Sequence, residues 1–459
     1  MNKSPKKILL VYFNYRDQLF TPLDVAQAAG YVQQNSPATQ IKILGVGAGR
    51  NKPMARFDLD VKNIVKLQPD VVIFFAENIL WSGMLYEGLI NQLSIKLKKV
   101  APKISVGMQS YKIRRERADE ALKRHVNIDF ILRDEAEIPL LDFCTHADRR
   151  QVRSLTYRWG RQIRSNPDAP TVQQLDDIPS PYLSGGLDRF IDIQSKNQPS
   201  SIFFMQSTRG CPYACSYCFR SVKFATQRHF SAKRIVDELL YMRDRGVRRI
   251  FFLDDTFLTP KKHFGQLVRE YKKRCIKEEM PQISVMTRPE LITPEIAQCM
   301  ADMNIWYVQL GLQSVNPAMQ TAITRPDDFA FTDFKRATDV LKKYGILFQI
   351  DVIFGLPGDD LVTFRHTVDL AMSLEPRFLQ MKQMYLNPDT LFEVSAKKYA
   401  IKATGKMDRK VPLVRSNMTW TVADMKAASD HAMQTVHNMG KKYPKMGFKV
   451  VSEYDFHRS

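Results

Sequence analysis

Short, unbroken apolar runs separated by helix-length stretches recur along most of this 459-residue chain. Ile8–Phe13 opens the series, and Ile41–Leu44, Val71–Phe75, Ile104–Val106 and Phe130–Leu132 follow it. A run that is apolar at every position suits a strand covered on both faces, the condition of a parallel sheet. The stretches between them, such as Leu23–Gln34, Leu59–Leu67 and Met84–Val100, are long enough for crossover helices. Five such units predict a doubly wound α/β domain over residues 1–145. Ligands of such sheets bind beyond the carboxyl ends of the strands, here near Asn14–Arg16, Gly45–Gly49, Ala76–Ser82 and Gly107–Ser110.

A second series begins at Ser201. Its strands are Ile202–Gln206, Ile250–Leu253, Ile283–Met286, Tyr307–Leu310, Phe348–Phe354 and Phe378–Met381, with helices such as Ala232–Arg245 and Phe331–Tyr344 between them. Six βα repeats predict a partial, open (β/α)6 barrel over residues 201–385, with functional groups at the carboxyl ends of its strands. Residues 146–200 read as a connector, with a hairpin-like Leu155–Asn166 and a proline-stiffened Leu175–Pro181. Residues 386–459 are rich in methionine and lysine. They hold one long helix at Val422–Met439 and read as a small α-rich cap on the open side of the barrel.

Directly after the first strand of the second series stands Cys211-x₃-Cys215-x₂-Cys218, in the segment Thr208-Arg-Gly-Cys-Pro-Tyr-Ala-Cys-Ser-Tyr-Cys-Phe219. Three thiolates this close can wrap one small metal centre, one ligand short of a closed site. A [4Fe–4S] cluster normally takes four cysteines; held by three, it keeps one iron open, the mark of a catalytic metal. A structural zinc site with His229 as fourth ligand is the rival. It lacks a second ligand pair at zinc spacing. Six cysteines in 459 residues make no disulfide framework. Cys144, Cys275 and Cys299 stand apart and are expected to hold no cluster.

The net charge is +20, from 68 basic and 48 acidic residues. This surplus favours anionic partners: phosphorylated substrates, nucleic acid or acidic headgroups. Part of it lies in Arg149, Arg150, Arg153, Arg158, Arg161 and Arg164, with no acid between them. No interleaved aromatic motif accompanies these arginines, so a solvated connector is the preferred reading over a nucleic-acid surface. No apolar run reaches the roughly 18–20 residues of a membrane span. The N-terminus is polar and runs straight into a strand, unlike a signal peptide. Free thiols and a reducible cluster point to the cytoplasm.

The cysteine run, with Tyr217 before its last member, resembles the cluster loop of the radical S-adenosylmethionine (SAM) superfamily. The resemblance implies a [4Fe–4S] cluster on Cys211, Cys215 and Cys218, with SAM on the open iron. It also implies an electron donor such as flavodoxin or ferredoxin. Asp254 and Asp255, after the second barrel strand, resemble the position that contacts the SAM amine; helix capping is the competing reading. Arg288 would pair with the SAM carboxylate. Gly311-Leu-Gln313-Ser314 is similar to the family's Gly-x-Glu-Ser segment at the SAM ribose or amine. The turn in Asp351-Val-Ile-Phe-Gly355-Leu-Pro-Gly358 resembles the segment beside the adenine, its glycines letting the backbone approach a flat ligand.

Residues 1–145 resemble the cobalamin-binding domain that precedes the barrel in one branch of the superfamily. Gly107-Met108 stands where that branch often has Gly-Gly, and Arg133-Asp-Glu-Ala-Glu137 where it has Gly-Glu-Gly-Glu. The single histidine before residue 146 is His125. A bound cobalamin is therefore expected base-off and without a histidine ligand, lying between the N-terminal sheet and the barrel mouth. The expected activity is cobalamin-dependent methylation of an unactivated carbon in a small molecule or peptide. The alternative is a rearrangement, dehydration or cyclisation by the same radical chemistry with a degenerate cobalamin domain.

Overall fold

The computed structural model describes residues 7–15, 21–48, 54–77, 87–197, 201–220, 226–324, 330–404, 411–442 and 446–452. The chain divides into two compact units at Pro199/Ser200.

The first unit is a seven-stranded sheet. Its strands are β1 (Lys7–Tyr15), β2 (Gln40–Ala48), β3 (Val71–Phe75), β4 (Ser105–Ser110), β5 (Phe130–Arg133), β6 (Leu155–Trp159) and β7 (Gln162–Ser165), in spatial order 2-1-3-4-5-6-7. The first five run parallel. Successive residues of β1 enter opposite cores: Leu9, Val11 and Phe13 join one cluster, and Ile8 and Leu10 join the other. Helices Met54–Lys66 and Glu87–Val100 cover the first face, and Leu23–Asn35 and Glu137–Thr145 the second. Burial on both faces is what makes these strands apolar at every position.

Two sequence readings change here. Gly45 and Gly107 lie within strands, not past their ends. A Cβ on Gly107 would come within 2.2 Å of the Phe130 ring, and one on Gly45 within 2.7 Å of the Tyr12 ring. Each glycine makes room for a neighbouring aromatic rather than for a ligand. The part of the connector at Leu155–Ser165 is a hairpin that joins the first sheet, β6 pairing antiparallel with β5. Several of its arginines are structural rather than solvated. Arg158 donates to the carbonyls of Ile128 and His125 at 3.1 Å each, and Arg153 pairs with Asp142 at 2.7 Å. The strand-end segments at 16–20, 49–53 and 78–86 lie outside the described residues.

The second unit is built on another seven-stranded sheet, forming a half-barrel. Its strands are β8 (Ile202–Met205), β11 (Arg249–Phe252), β12 (Gln282–Thr287), β13 (Ile305–Gln313), β14 (Leu347–Phe354), β15 (Phe378–Gln383) and β18 (Gly447–Val451). All neighbours are parallel. Two small antiparallel pairs accompany it: β9 (Thr208–Arg209) with β10 (Arg228–His229), and β16 (Lys402–Ala403) with β17 (Val414–Ser416). Residues 386–459 supply a long helix, Val422–Lys442, but also β18, a seventh strand beside β15. The segment read as an α-rich cap thus extends the sheet. Its apolar signal was short and followed a lysine-rich stretch, which hid it.

Candidate active site

The cysteine loop leaves β8 and is closed at its base by pairing of β9 with β10. Asp254, just past β11, fastens that base. It is fully buried, and its carboxylate accepts from the backbone N–H groups of Ser207 at 2.7 Å and Thr208 at 3.0 Å, and from the Ser207 hydroxyl. Burial lifts its carboxyl to about 7, against the downward pull of these hydrogen bonds. Asp254 was expected at the SAM amine; its bonds instead tie two strand ends together.

The loop is pinned on its other side by residues 322–324. The Ser216 N–H and hydroxyl donate to the Ala322 carbonyl at 3.1 and 2.8 Å, and the Cys215 thiol lies 3.2 Å from the Ile323 carbonyl. Arg288 stacks on the Tyr213 ring, 3.8 Å from its centroid, and donates to the Thr324 carbonyl at 2.8 Å and the Ile323 carbonyl at 3.3 Å. It also pairs with Glu290. Arg288 therefore grips the middle of the cysteine loop; its guanidinium is engaged by protein groups where a SAM carboxylate was expected. Tyr217 contributes its carbonyl, which accepts from the Asn387 amide at 3.0 Å.

Burial pushes the Cys211 and Cys218 thiols up to about 12. Neighbouring thiols and Asp255 push the same way, while backbone N–H groups of Tyr213 and Arg220, bonded to the respective sulfurs, pull down. N–H···S bonds of this kind are a feature of iron–sulfur sites. Among the described residues, no three His, Cys, Asp or Glu side chains stand at metal-ligand geometry. The thiols nevertheless share one loop and feel each other's charge, and a cation among them would supply what thiolates need. The donor set fits a soft metal centre. Asp255 pairs with Arg220 at 3.1 Å beside these sulfurs. His229 lies edge-on against His263, ring centroids 4.4 Å apart. Cys144 is buried in the helix Glu137–Thr145, Cys299 lies in the helix Pro294–Asp302, and Cys275 follows the end of Lys261–Arg274.

The carboxyl ends of the half-barrel strands share a second property. After or at the end of each of β8, β11, β12, β13, β14 and β15 lies a buried side-chain oxygen with no hydrogen-bond partner: Thr208, Thr256, Thr287, Gln313, Asp359 and Asn387 respectively. Each such atom costs roughly 1–3 kcal/mol if left unmet, so a polar ligand or water at these strand ends would recover that cost. Gln313 adopts a positive φ of 67°, and its amide nitrogen lies 2.2 Å from where a Cβ on Gly311 would be. Gly311 is thus the residue that lets Gln313 turn inward. Ser314 is buried and accepts from the Asn316 N–H at 3.0 Å, a supporting rather than an open position.

Gly355 and Gly358 both have positive φ, 89° and 97°. A Cβ on Gly355 would meet Met425 at 2.5 Å, and the Trp420 indole donates to the Leu356 carbonyl at 3.0 Å. The turn is set by packing against the C-terminal segment. Asp359, Arg220 and Asn387 escaped the sequence reading, although Asp359 follows the glycine turn and Arg220 the last motif cysteine. Burial lifts the Asp359 carboxyl to about 6.

Residues 205–371 match the family model described as the Radical SAM superfamily, so the second unit carries a radical SAM domain. The chain is 25% identical over 262 residues to an uncharacterized methyltransferase of Pyrococcus horikoshii, covering 55% of this chain and 54% of that protein. It is 27% identical over 148 residues to the cobalamin-dependent radical SAM methyltransferase TokK of Streptomyces tokunonensis, covering 31% and 22%. The chain spans about half the length, or less, of these curated relatives. In three dimensions it is similar to the radical SAM methyltransferase TsrM of Kitasatospora setae, solved with tryptophan and a SAM analogue. The TM-score is 0.72 and the identity 14%, covering 92% of this chain and 89% of that one. At that identity the likeness is one of fold.

Proposed function

We propose that this chain, through its radical SAM domain, cleaves SAM at a [4Fe–4S] cluster held by Cys211, Cys215 and Cys218, and uses cobalamin to methylate an unactivated carbon of a small molecule or peptide. The observation that carries the reading is the row of unpartnered oxygens along the same strand ends from which the cysteine loop springs. When bound, the cluster supplies an electron for SAM cleavage and cobalamin supplies a transferable methyl group.

The chain's own residues have definite tasks in this reading. The three cysteines hold the metal while Asp254 and Arg288 fix the loop's base and middle. Gln313 offers a buried acceptor to the SAM ribose or amine. The Asp255–Arg220 pair places a neutral charge couple beside the sulfurs, so an added electron meets no net repulsion there. In the first unit, His125 is buried and held 2.6 Å from Glu87. This supports a corrinoid bound without a histidine ligand.

Two measurements test the reading. Anaerobic reconstitution with iron and sulfide, then reduction with SAM, should release 5′-deoxyadenosine; no release ends the radical proposal. Hydroxocobalamin titration, followed by gel filtration and absorbance, should show a weakly retained corrinoid. Activity undiminished without corrinoid would return the non-methylating alternative.

A further inference from the structure

The helix Lys261–Arg274, which follows β11, carries six Lys and Arg residues against one acid, Glu270. These cations differ in what they face. Lys272 pairs with Asp302 at 2.6 Å, and Arg274 with Asp237 at 2.6 Å and Glu270 at 3.2 Å. Lys261, Lys262, Arg269 and Lys273 are exposed, and among the described residues none of the four has an acidic partner. Lys262, Arg269 and Lys273 stand seven and four residues apart and so share one stripe of the helix, about 16 Å long. The helix Ala232–Asp244 shows the contrast: Lys233 pairs with Asp237, Arg234 with Glu238 and Arg243 with Asp244. The first turn of the cationic helix is fastened to the cysteine loop. His229 of β10, the loop's return leg, lies edge-on against His263. Just before it, the Gln227 amide donates to the Thr259 carbonyl at 2.9 Å and to its hydroxyl at 3.0 Å. Asp255, beside the motif sulfurs, opens the segment that runs into Lys261.

We infer that this stripe is the docking face for a small acidic electron-carrier protein that reduces the cluster held by the adjoining loop. Unspent cations on a rigid helix complement a carboxylate-rich surface and speed its encounter. A stripe of this length suits the small interfaces of transient electron-transfer pairs. The exposed positions of the helix are Lys261, Lys262, Gln266, Arg269, Lys272 and Lys273. They include no aromatic ring on which a nucleic-acid base could stack. Nor do they include an apolar side chain that could enter a lipid surface beside the cations. In the function proposed above, each cleavage of SAM draws one electron from the cluster, and that electron has to be returned from outside. The reduced carrier gives up one electron and the cluster gains it; no bond of either protein forms or breaks. That the partner delivers an electron rests on the proposed function; that it is acidic and sits on this face does not.

The test uses the full-length, anaerobically reconstituted protein, with flavodoxin as the acidic probe and binding read by calorimetry. Binding should be saturable and should weaken about tenfold or more as salt rises from about 50 to about 300 mM. In Lys262→Glu/Arg269→Glu/Lys273→Glu the affinity should fall by about tenfold or more. In Lys342→Glu/Lys343→Glu/Lys426→Glu, the same change of charge on other helices of this unit, it should stay within about threefold. Release of 5′-deoxyadenosine driven by reduced flavodoxin should fall with the affinity in the first variant, while release driven by dithionite should not. Equal weakening in the two variants, or none in the first, overturns the docking face. Tighter binding of phosphatidylserine vesicles or of a single-stranded oligonucleotide, lost in the first variant, overturns the choice of partner. Should the first variant fail to fold, carbodiimide coupling of the wild-type protein to flavodoxin decides. Cross-links at Lys261, Lys262 and Lys273 support the face, and cross-links confined to other lysines overturn it. Protein that releases no 5′-deoxyadenosine with either reductant refutes the radical reading, and binding and coupling then still judge the face alone.

Discussion

Arg133 ends β5 in the first unit, and Gln313 ends β13 in the second. Arg133 is fully buried and spends both terminal nitrogens of its guanidinium on protein, on the Thr156 hydroxyl at 2.5 Å, the Asn166 carbonyl at 2.8 Å and Asp168 at 2.6 Å, with its Nε left unmet. Nearby, Gln109 of β4 donates to the Asp134 carbonyl at 2.8 Å, and Ser110 bonds Glu77. Gln313 is turned inward at a positive φ with its oxygen unmet, and five neighbouring strands repeat the pattern. The five parallel strands of the first sheet and the wholly parallel second sheet each offer a crevice at their carboxyl ends. Among the described residues, the first spends the groups named above on its own chain but still leaves Arg133 Nε unmet. The second leaves an unmet oxygen after or at the end of six strands. Topology gives both units a place for a ligand; the regular recurrence of unmet oxygens separates them.

The harshest way to break this comparison is to remove the metal ligands. Changing Cys211, Cys215 and Cys218 together to Ala should abolish the broad visible absorbance of reconstituted protein and all 5′-deoxyadenosine release. A full cluster surviving the change would sink the assignment. Next is Asp254→Ala, which strands the buried N–H groups of Ser207 and Thr208. Urea unfolding should show a loss of about 2–4 kcal/mol, with lower iron content per chain.

The same aspartate sharpens the comparison through pH. Its carboxyl is raised to about 7 in the folded state, so the folded protein holds a proton that the unfolded chain releases near pH 4. Its contribution to stability is fullest below about pH 4 and is lost as pH rises toward about 7. Asp254→Asn should flatten the slope of the urea midpoint across that window; an unchanged slope would show that Asp254 does not titrate there. Gln313→Ala should weaken SAM binding by about tenfold, as loss of one buried hydrogen bond would, with cluster content unaltered. The smallest effect on SAM binding is expected from Arg133→Met. It takes the donor away from the Asn166 carbonyl and Asp168, so urea unfolding should show a loss of about 1–3 kcal/mol, while SAM affinity should not move. A large drop in SAM affinity would erase the distinction between the two strand edges.

Much of the fold was legible because a strand buried on both faces writes itself as an unbroken apolar run, as at Ile8–Phe13 and Val71–Phe75. The cysteine loop was legible because metal ligation demands close spacing. Glycine misled at Gly45, Gly107 and Gly311, where it reads as a strand end but serves to admit a ring or an amide from a neighbouring position. That partner is invisible in a linear pattern. Arg288 and Asp254 carried charge at strand ends and so resembled ligand contacts. Only three-dimensional placement assigns them to the loop itself, because these partners lie 35 to 75 positions away. β18 was lost for a related reason: five residues, one of them Lys449, give too short a pattern to separate from the lysine-rich sequence before it.

The position of β18 also sets an order of assembly. It is the last strand of the half-barrel sheet to leave the ribosome, and its partner β15 is made more than sixty residues earlier. Domains fold as units as they are synthesised, and a half-barrel sheet lacking β18 would leave β15 as an open edge with unpaired backbone groups. The cysteine loop, by contrast, already has its main fastenings from Asp254, Arg288 and residues 322–324. A nascent chain halted before Gly447 is exposed to edge-to-edge association in a way the finished sheet is not.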